Sequence, residues 1–237
     1  MTVDLENLLT SILDSISRIE HVNPDDIPNI DLYMDQVTTF MDTRLKSSSR
    51  FPGEDKIMTK TMINNYAKNN LIPSPNKKRY SKEHILLLIF VYYYKSILSI
   101  TDIQTMLKPL TDRYFQSGKE FDLEKVYSEV FSMEKDQIED MKKDVIRKFK
   151  KSRQTFEDAP EKEQEFLKTF SFICLLSFDV YVKKLLIEKM IDEIAVKQPS
   201  RKNDKANAKA KSNKERMAKE AAAKARKNDS KQDKTRR

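Results

Sequence analysis

Glycine is almost missing from this chain: Gly53 and Gly118 are the only two in 237 residues, where average usage of ~7% would give about 17. Folds built around glycine-rich phosphate loops are closed to it, because neither G-x-G-x-x-G nor G-x-x-x-x-G-K-[ST] can be written. His21 and His84 are the only histidines, so an H-E-x-x-H zinc site is excluded as well. The single Cys174 rules out an intramolecular disulfide and a Cys-rich zinc centre, and it suits a reducing, cytoplasmic compartment. No nucleophile, base and orienting group can be assembled from what remains. The chain therefore reads as no enzyme, with no catalytic residue, no cofactor and no metal site.

Charge divides the sequence more sharply than its total of +8 suggests. Residues 1–55 carry a net −7, 56–110 a net +7, 111–196 a net −3 and 197–237 a net +11. Two basic blocks on an otherwise acidic chain point to polyanion contacts at two separate places.

Apolar spacing predicts a mainly α protein. Leu5, Leu8, Leu9, Ile12, Leu13, Ile16 and Ile19 recur at helical intervals and make residues 3–20 an amphipathic helix. Acidic Asp4 and Glu6 stand where a secretory leader would be basic. Residues 31–45 read as a helix with Asp31 as N-cap, followed by a polar loop over 47–55. A helix over 59–70, capped by Thr59, turns Met62, Ile63 and Tyr66 inward. The run PSPNKKRY, 73–80, is a short basic extended segment, since proline disfavours helix in the residue before it. Ser81 opens the next helix, and Ile85–Leu98 is apolar nearly all round, the mark of a central buried helix. Further helices are expected over 100–107, over 122–153 with a break near Ser132, and over 161–195. The apolar run Thr169–Val182 is interrupted by Asp179 and ended by Lys183 and Lys184, so no membrane span is expected. Cys174 reads as a small buried hydrophobe, and His84 as a capping or surface residue. Beyond Pro199 only Met217 is a large apolar residue, which predicts a disordered basic tail. The parts are an N-terminal helix and linker (1–26), a basic helical module (27–110), a C-terminal helical region (111–196) and the tail (197–237).

The module carries the functional signal, with nine positive charges against two negative over 56–110. Thr59, Lys60, Thr61, Asn64, Asn65 and Lys68 form the polar side of a helix whose other side is apolar. Asn pairs bidentately with adenine, and Lys with guanine or phosphate. Lys77, Lys78 and Arg79, with Lys82 just beyond, make a compact cation cluster beside that helix. Double-stranded DNA is the expected partner. The apolar run of 166–194 exceeds what one small domain covers, which predicts a homodimer through the C-terminal helices.

The stretch from Thr59 to Leu107 resembles the DNA-binding module of MerR-type regulators. Tyr66, Leu71, Ile72, Pro73, Arg79, Tyr80, Ser81, Leu88, Ile100, Ile103 and Leu107 occupy the matching positions. Asn70 replaces the usual exit glycine, and Asn64 and Asn65 replace an Arg and a Tyr. Over roughly 28–190 the chain is also similar to a bacterial family known only as domain of unknown function 1836. The resemblance implies a winged helix-turn-helix core with flanking N- and C-terminal helices. It further implies a sequence-specific transcriptional regulator of the bacterial cytoplasm, located at the nucleoid when bound to DNA. Two rivals stand beside it: a protein-binding adaptor on a winged-helix scaffold, and an RNA- or ribosome-associated factor acting through the basic tail.

Overall fold

The computed structural model describes residues 5–17, 22–46 and 57–197. Seven helices occur among them: α1 (Leu5–Ser17), α2 (Met34–Leu45), α3 (Lys60–Lys68), α4 (Lys82–Tyr94), α5 (Ile100–Tyr114), α6 (Leu123–Arg153) and α7 (Glu161–Lys197). Two two-residue strands, β1 (Leu32–Tyr33) and β2 (Arg79–Tyr80), pair antiparallel with Leu32 opposite Tyr80 and Tyr33 opposite Arg79. The expected loop over 47–55 and the basic tail beyond Lys197 lie outside the described residues.

The all-round apolar run after Ser81 does become the central helix. Residues His84 to Val91 of α4 are all buried, and a helix of that kind needs a neighbour on every side. α2 supplies Val37, Met41 and Leu45, α3 supplies Ile63 and Tyr66, and α5 supplies Ile103 and Leu107. Leu123, Tyr127 and Phe131 of α6 close the last side. Each such side chain contributes about 1.5–3 kcal/mol on burial. Within this layer Phe90 stacks on Phe131 and meets Tyr127 edge-on, and the tilted rings of Tyr127 and Phe131 have centroids 4.2 Å apart. The Tyr127 hydroxyl donates to the Val22 carbonyl at 2.8 Å, joining α6 to the segment that leads into β1.

A second, smaller cluster forms where α6 runs on beyond this core. Phe149 meets Phe172 of α7 edge-on, and Leu9 and Ile12 of α1 pack over them with Val145 and Leu176. The Lys148 ammonium binds both Asp144 and Asp179, so the acid that interrupts the apolar run of α7 is an inter-helix contact. No helix among the described residues is long and apolar enough to cross a membrane.

Four expectations are corrected. Asp31 does not cap α2; the chain is extended through Leu32 and Tyr33, and the Gln36 side chain accepts from the Tyr33 N–H at 2.8 Å at the true helix start. α5 does not stop at Leu107 but passes through Pro109 to Tyr114. An interior proline costs ~3 kcal/mol, and the packing of Leu110 and Tyr114 against the core offsets it. α6 does not break at Ser132, whose hydroxyl bonds back to the Glu129 carbonyl within the helix while Phe131 is held in the core. Cys174 is exposed on α7 rather than buried.

Candidate nucleic-acid interface

α3 is fixed at both ends. The Thr59 side chain accepts from the Met62 N–H at 3.2 Å, satisfying one of the donors a helix start leaves orphaned. At the other end Asn70 adopts φ 55°, and the Leu71 N–H returns to the Tyr66 carbonyl at 2.8 Å. This is the left-handed exit that Asn tolerates in place of glycine. The Gln104 amide of α5 clamps that exit by donating to the carbonyls of Asn69 and Asn70 at 2.9 and 3.2 Å. The approach to α3 is tied as well, with the Ile57 N–H on the Asp42 carboxylate and the Lys95 ammonium on the Ile57 carbonyl at 2.8 Å. Burial lowers the Lys95 ammonium from its ordinary value.

With Ile63 and Tyr66 buried and Met62 half-buried, the opposite side of α3 must face solvent. Lys60, Thr61, Asn64, Asn65 and Lys68 are all exposed there. Thr59 is half-buried, and its hydroxyl oxygen serves the helix cap.

The basic segment after α3 folds into a hairpin tip. The Asn76 carbonyl accepts from the Arg79 N–H at 2.8 Å, and the two residues between them, Lys77 and Lys78, have φ 48° and 65°. Two central residues at positive φ define a type I′ turn, which Asn-Gly fills without strain. Two lysines held there cost roughly 1–2 kcal/mol each relative to an ordinary conformation. The strain leaves both ammonium groups on an exposed tip.

β1 joins this tip to α3. Tyr33 presents its hydroxyl to Arg79 Nε and Nη2 at 3.2 and 3.1 Å, and its ring lies 5.2 Å from the guanidinium carbon. Two residues on, Asp35 in the first turn of α2 pairs with Lys60. The start of α2 thus gathers the N-terminal cation of α3 and the last cation of the hairpin. Lys82 stands apart: its ammonium binds Glu124 of α6 at 2.8 Å, and its side chain is 18% exposed. Nothing in the sequence marks Tyr33, Asp35 or Gln104 as part of this arrangement. A two-residue strand is too short for a period-two pattern, and Lys77-Lys78 gives no turn signal of the Asn-Gly kind.

Beneath the hairpin lies His84. The Ser81 N–H donates to its Nδ1 at 3.0 Å, so the ring caps α4 as a neutral acceptor. Tyr80 and Phe115 meet the ring edge-on. Desolvation lowers its pKa, against smaller opposing effects from Pro73, Ser74, Glu83 and Asp31. Burial likewise raises the Tyr66 and Tyr80 hydroxyls, which stay protonated. Among the described residues no three His, Cys, Asp or Glu side chains converge as metal ligands.

Residues 22–130 match the model of a family described as Domain of unknown function (DUF1836). The match starts at Val22 and ends shortly after Tyr127, the two residues joined by the hydrogen bond described above. It is shorter than the 28–190 resemblance, and α7 lies outside it. No curated protein and no solved structure matches the chain.

Proposed function

We propose that the segment matching this family is a winged-helix module of the MerR kind that binds double-stranded DNA, and that the chain is a sequence-specific transcriptional regulator acting as a homodimer at the nucleoid. α3 is the recognition helix of this reading and the 76–79 hairpin its wing. One observation supports it above the others: an exposed row of Lys, Thr and Asn on α3 stands beside a strained hairpin tip of three cations, linked through the start of α2. Asn64, Asn65 and Lys60 carry the donors that read base edges, whereas Lys77, Lys78 and Arg79 suit phosphates, which position a protein without specifying sequence.

Selection of bound fragments from genomic DNA by the full chain at physiological salt tests the proposal. The expected result is one enriched site bound more than ~10³-fold tighter than random duplex. Asn64→Ala and Lys60→Ala then each cost about 1–3 kcal/mol on that site and relax preference at one base pair. A preference for RNA would favour a ribosome- or RNA-associated factor. Absence of any nucleic-acid preference would favour the adaptor.

A further inference from the structure

The start of α4 is capped by an acceptor that titrates. Ser81 and His84 complete a capping box, in which the residue at the third helical position reaches back to the N–H of the cap. Glutamine or glutamate ordinarily fills that position, and glutamine remains an acceptor at every pH. Imidazole accepts only while neutral, because both nitrogens of the charged ring are donors. A proton on Nδ1 therefore sets a second donor against the Ser81 N–H, which it now accepts at 3.0 Å.

The surroundings of the ring decide how it responds. His84 is 2% exposed, and among the described residues its Nε2 has no hydrogen-bond partner. Ser81 Oγ lies 2.9 Å from Nδ1 and donates its own proton to the Glu83 carboxylate at 2.7 Å. A charged ring can thus donate to the hydroxyl, but only by giving up the Ser81 N–H. Glu83 on α4 and Asp31 ahead of β1 favour the charged ring, as do the Pro73 and Ser74 carbonyls. β2 offers only the neutral Tyr80, and the residue after α5 only the Phe115 ring. Desolvation is the largest influence and opposes the charge.

What this cap holds is the hairpin. Ser81 follows directly on β2, so its N–H ends the returning leg, while Pro73 and Ser74 belong to the outgoing one. Between the legs and α4, Lys77 and Lys78 are kept at positive φ, a strain that persists only while the structure around it is closed. A strained tip held by a bond that one proton abolishes has two discrete arrangements.

We propose that His84 is an acid-operated hinge: protonation of its ring withdraws the acceptor from the Ser81 N–H and releases the 73–81 hairpin from α4, while α4 and α5 stay folded. Opening takes up one proton from solvent and closing returns it. The hinge stands whatever the hairpin binds. As control over duplex binding it rests on the proposed function, since a released tip no longer holds Lys77, Lys78 and Arg79 in place for phosphates.

Amide exchange of the full chain without nucleic acid, followed by NMR at pH 7.5 and 5.5, tests the hinge. With the ring of the open state titrating near 6.5 and the closed state refusing the proton, the opening constant rises about tenfold between those values. The Arg79 and Ser81 amides should lose that tenfold in protection, after correction for intrinsic rates, and the loss should not depend on dilute urea. Leu87 and Leu88 of α4 should exchange only through urea-dependent global unfolding. His84→Gln keeps an acceptor in the capping box and cannot take the proton, so its hairpin protection should match wild type at pH 7.5 and stay flat to 5.5. In wild type the ring nitrogens of His84 report protonation in the same samples, and the hairpin should open with that titration and not with that of His21. Hairpin amides that open only together with α4 overturn the proposal. So does a loss that persists in His84→Gln, or its absence in wild type. Failure to find any DNA site would refute the proposed function without altering these exchange rates.

Discussion

Replacing Lys77 with Asn and Lys78 with Gly at the hairpin tip separates the stability of the fold from its proposed use. Both lysines sit at positive φ, at roughly 1–2 kcal/mol each for an ordinary residue. Glycine removes that cost at position 78 but gives back about 0.5–1 kcal/mol in backbone entropy, and Asn removes part of it at 77. The net expectation is a gain of about 1 kcal/mol, or a thermal midpoint higher by ~2–4 °C for a chain of this size. Binding should move the other way. Two phosphate contacts fewer lower the slope of log affinity against log salt by about 1.8, or roughly thirty-fold in affinity at 0.15 M when scaled from 1 M. Thermal unfolding reads the first quantity, and fluorescence anisotropy on selected and random duplexes across a salt series reads the second. A variant that unfolds earlier would refute the strain argument. A variant whose salt slope matches wild type would refute the phosphate role of the tip, however stable it proved.

Three further outcomes are expected. His84 is held below its ordinary pKa by burial, so below about pH 6.5 the unfolded chain takes a proton that the folded chain refuses. Stability then rises with pH up to that value and levels off above it; urea midpoints at pH 5.5 and 7.5 should differ for wild type and converge for His84→Asn, and equal wild-type midpoints would dismiss the effect. Tyr33→Phe keeps the ring under Arg79 but removes the acceptor of two hydrogen bonds; being exposed, it should change stability by under ~0.5 kcal/mol. It should weaken binding severalfold on all duplexes alike, and a loss confined to one base pair would make it a reader instead. Leu88→Ala, in the fully buried stretch of α4, should cost about 2–5 kcal/mol in denaturant unfolding, with the folded fraction keeping its preferred site.

What could be read from the sequence was what neighbouring residues decide between themselves. The Thr59 cap, the inward side of α3 and the buried α4 all follow from contacts or periodicities within a few positions, whereas the left-handed Asn70 follows from the resemblance, in which it stands at the exit glycine. Pairing of Leu32 with Tyr80 did not, because two residues per strand leave no alternation to detect and the partners are far apart in the chain. The same distance hid the bond from Arg79 to Tyr33 and the pair between Lys82 and Glu124. α5 outruns its expected end at Leu107 because the burial of Leu110 and Tyr114 against the core outweighs the local penalty of Pro109. Cys174 reads as buried because its sequence neighbours are apolar, yet it is exposed, since α7 has more apolar circumference than its neighbours cover.

The hydrogen bond from Tyr127 to Val22 also bears on the order of events in folding. Bringing those two positions together closes a loop of about a hundred residues, at an entropy cost on the order of 4 kcal/mol. Contacts around α4 must form first to offset it, so the closure comes late. α1 departs from one end of that loop, so its Leu9 and Ile12 reach the Phe149–Phe172 contact of α6 and α7 only once the ends have met. α1 is therefore the last part to dock and the first to open, and its amides should exchange with solvent well before those of α4. A transient opening there would release α1 without disturbing the helix and hairpin proposed to meet DNA.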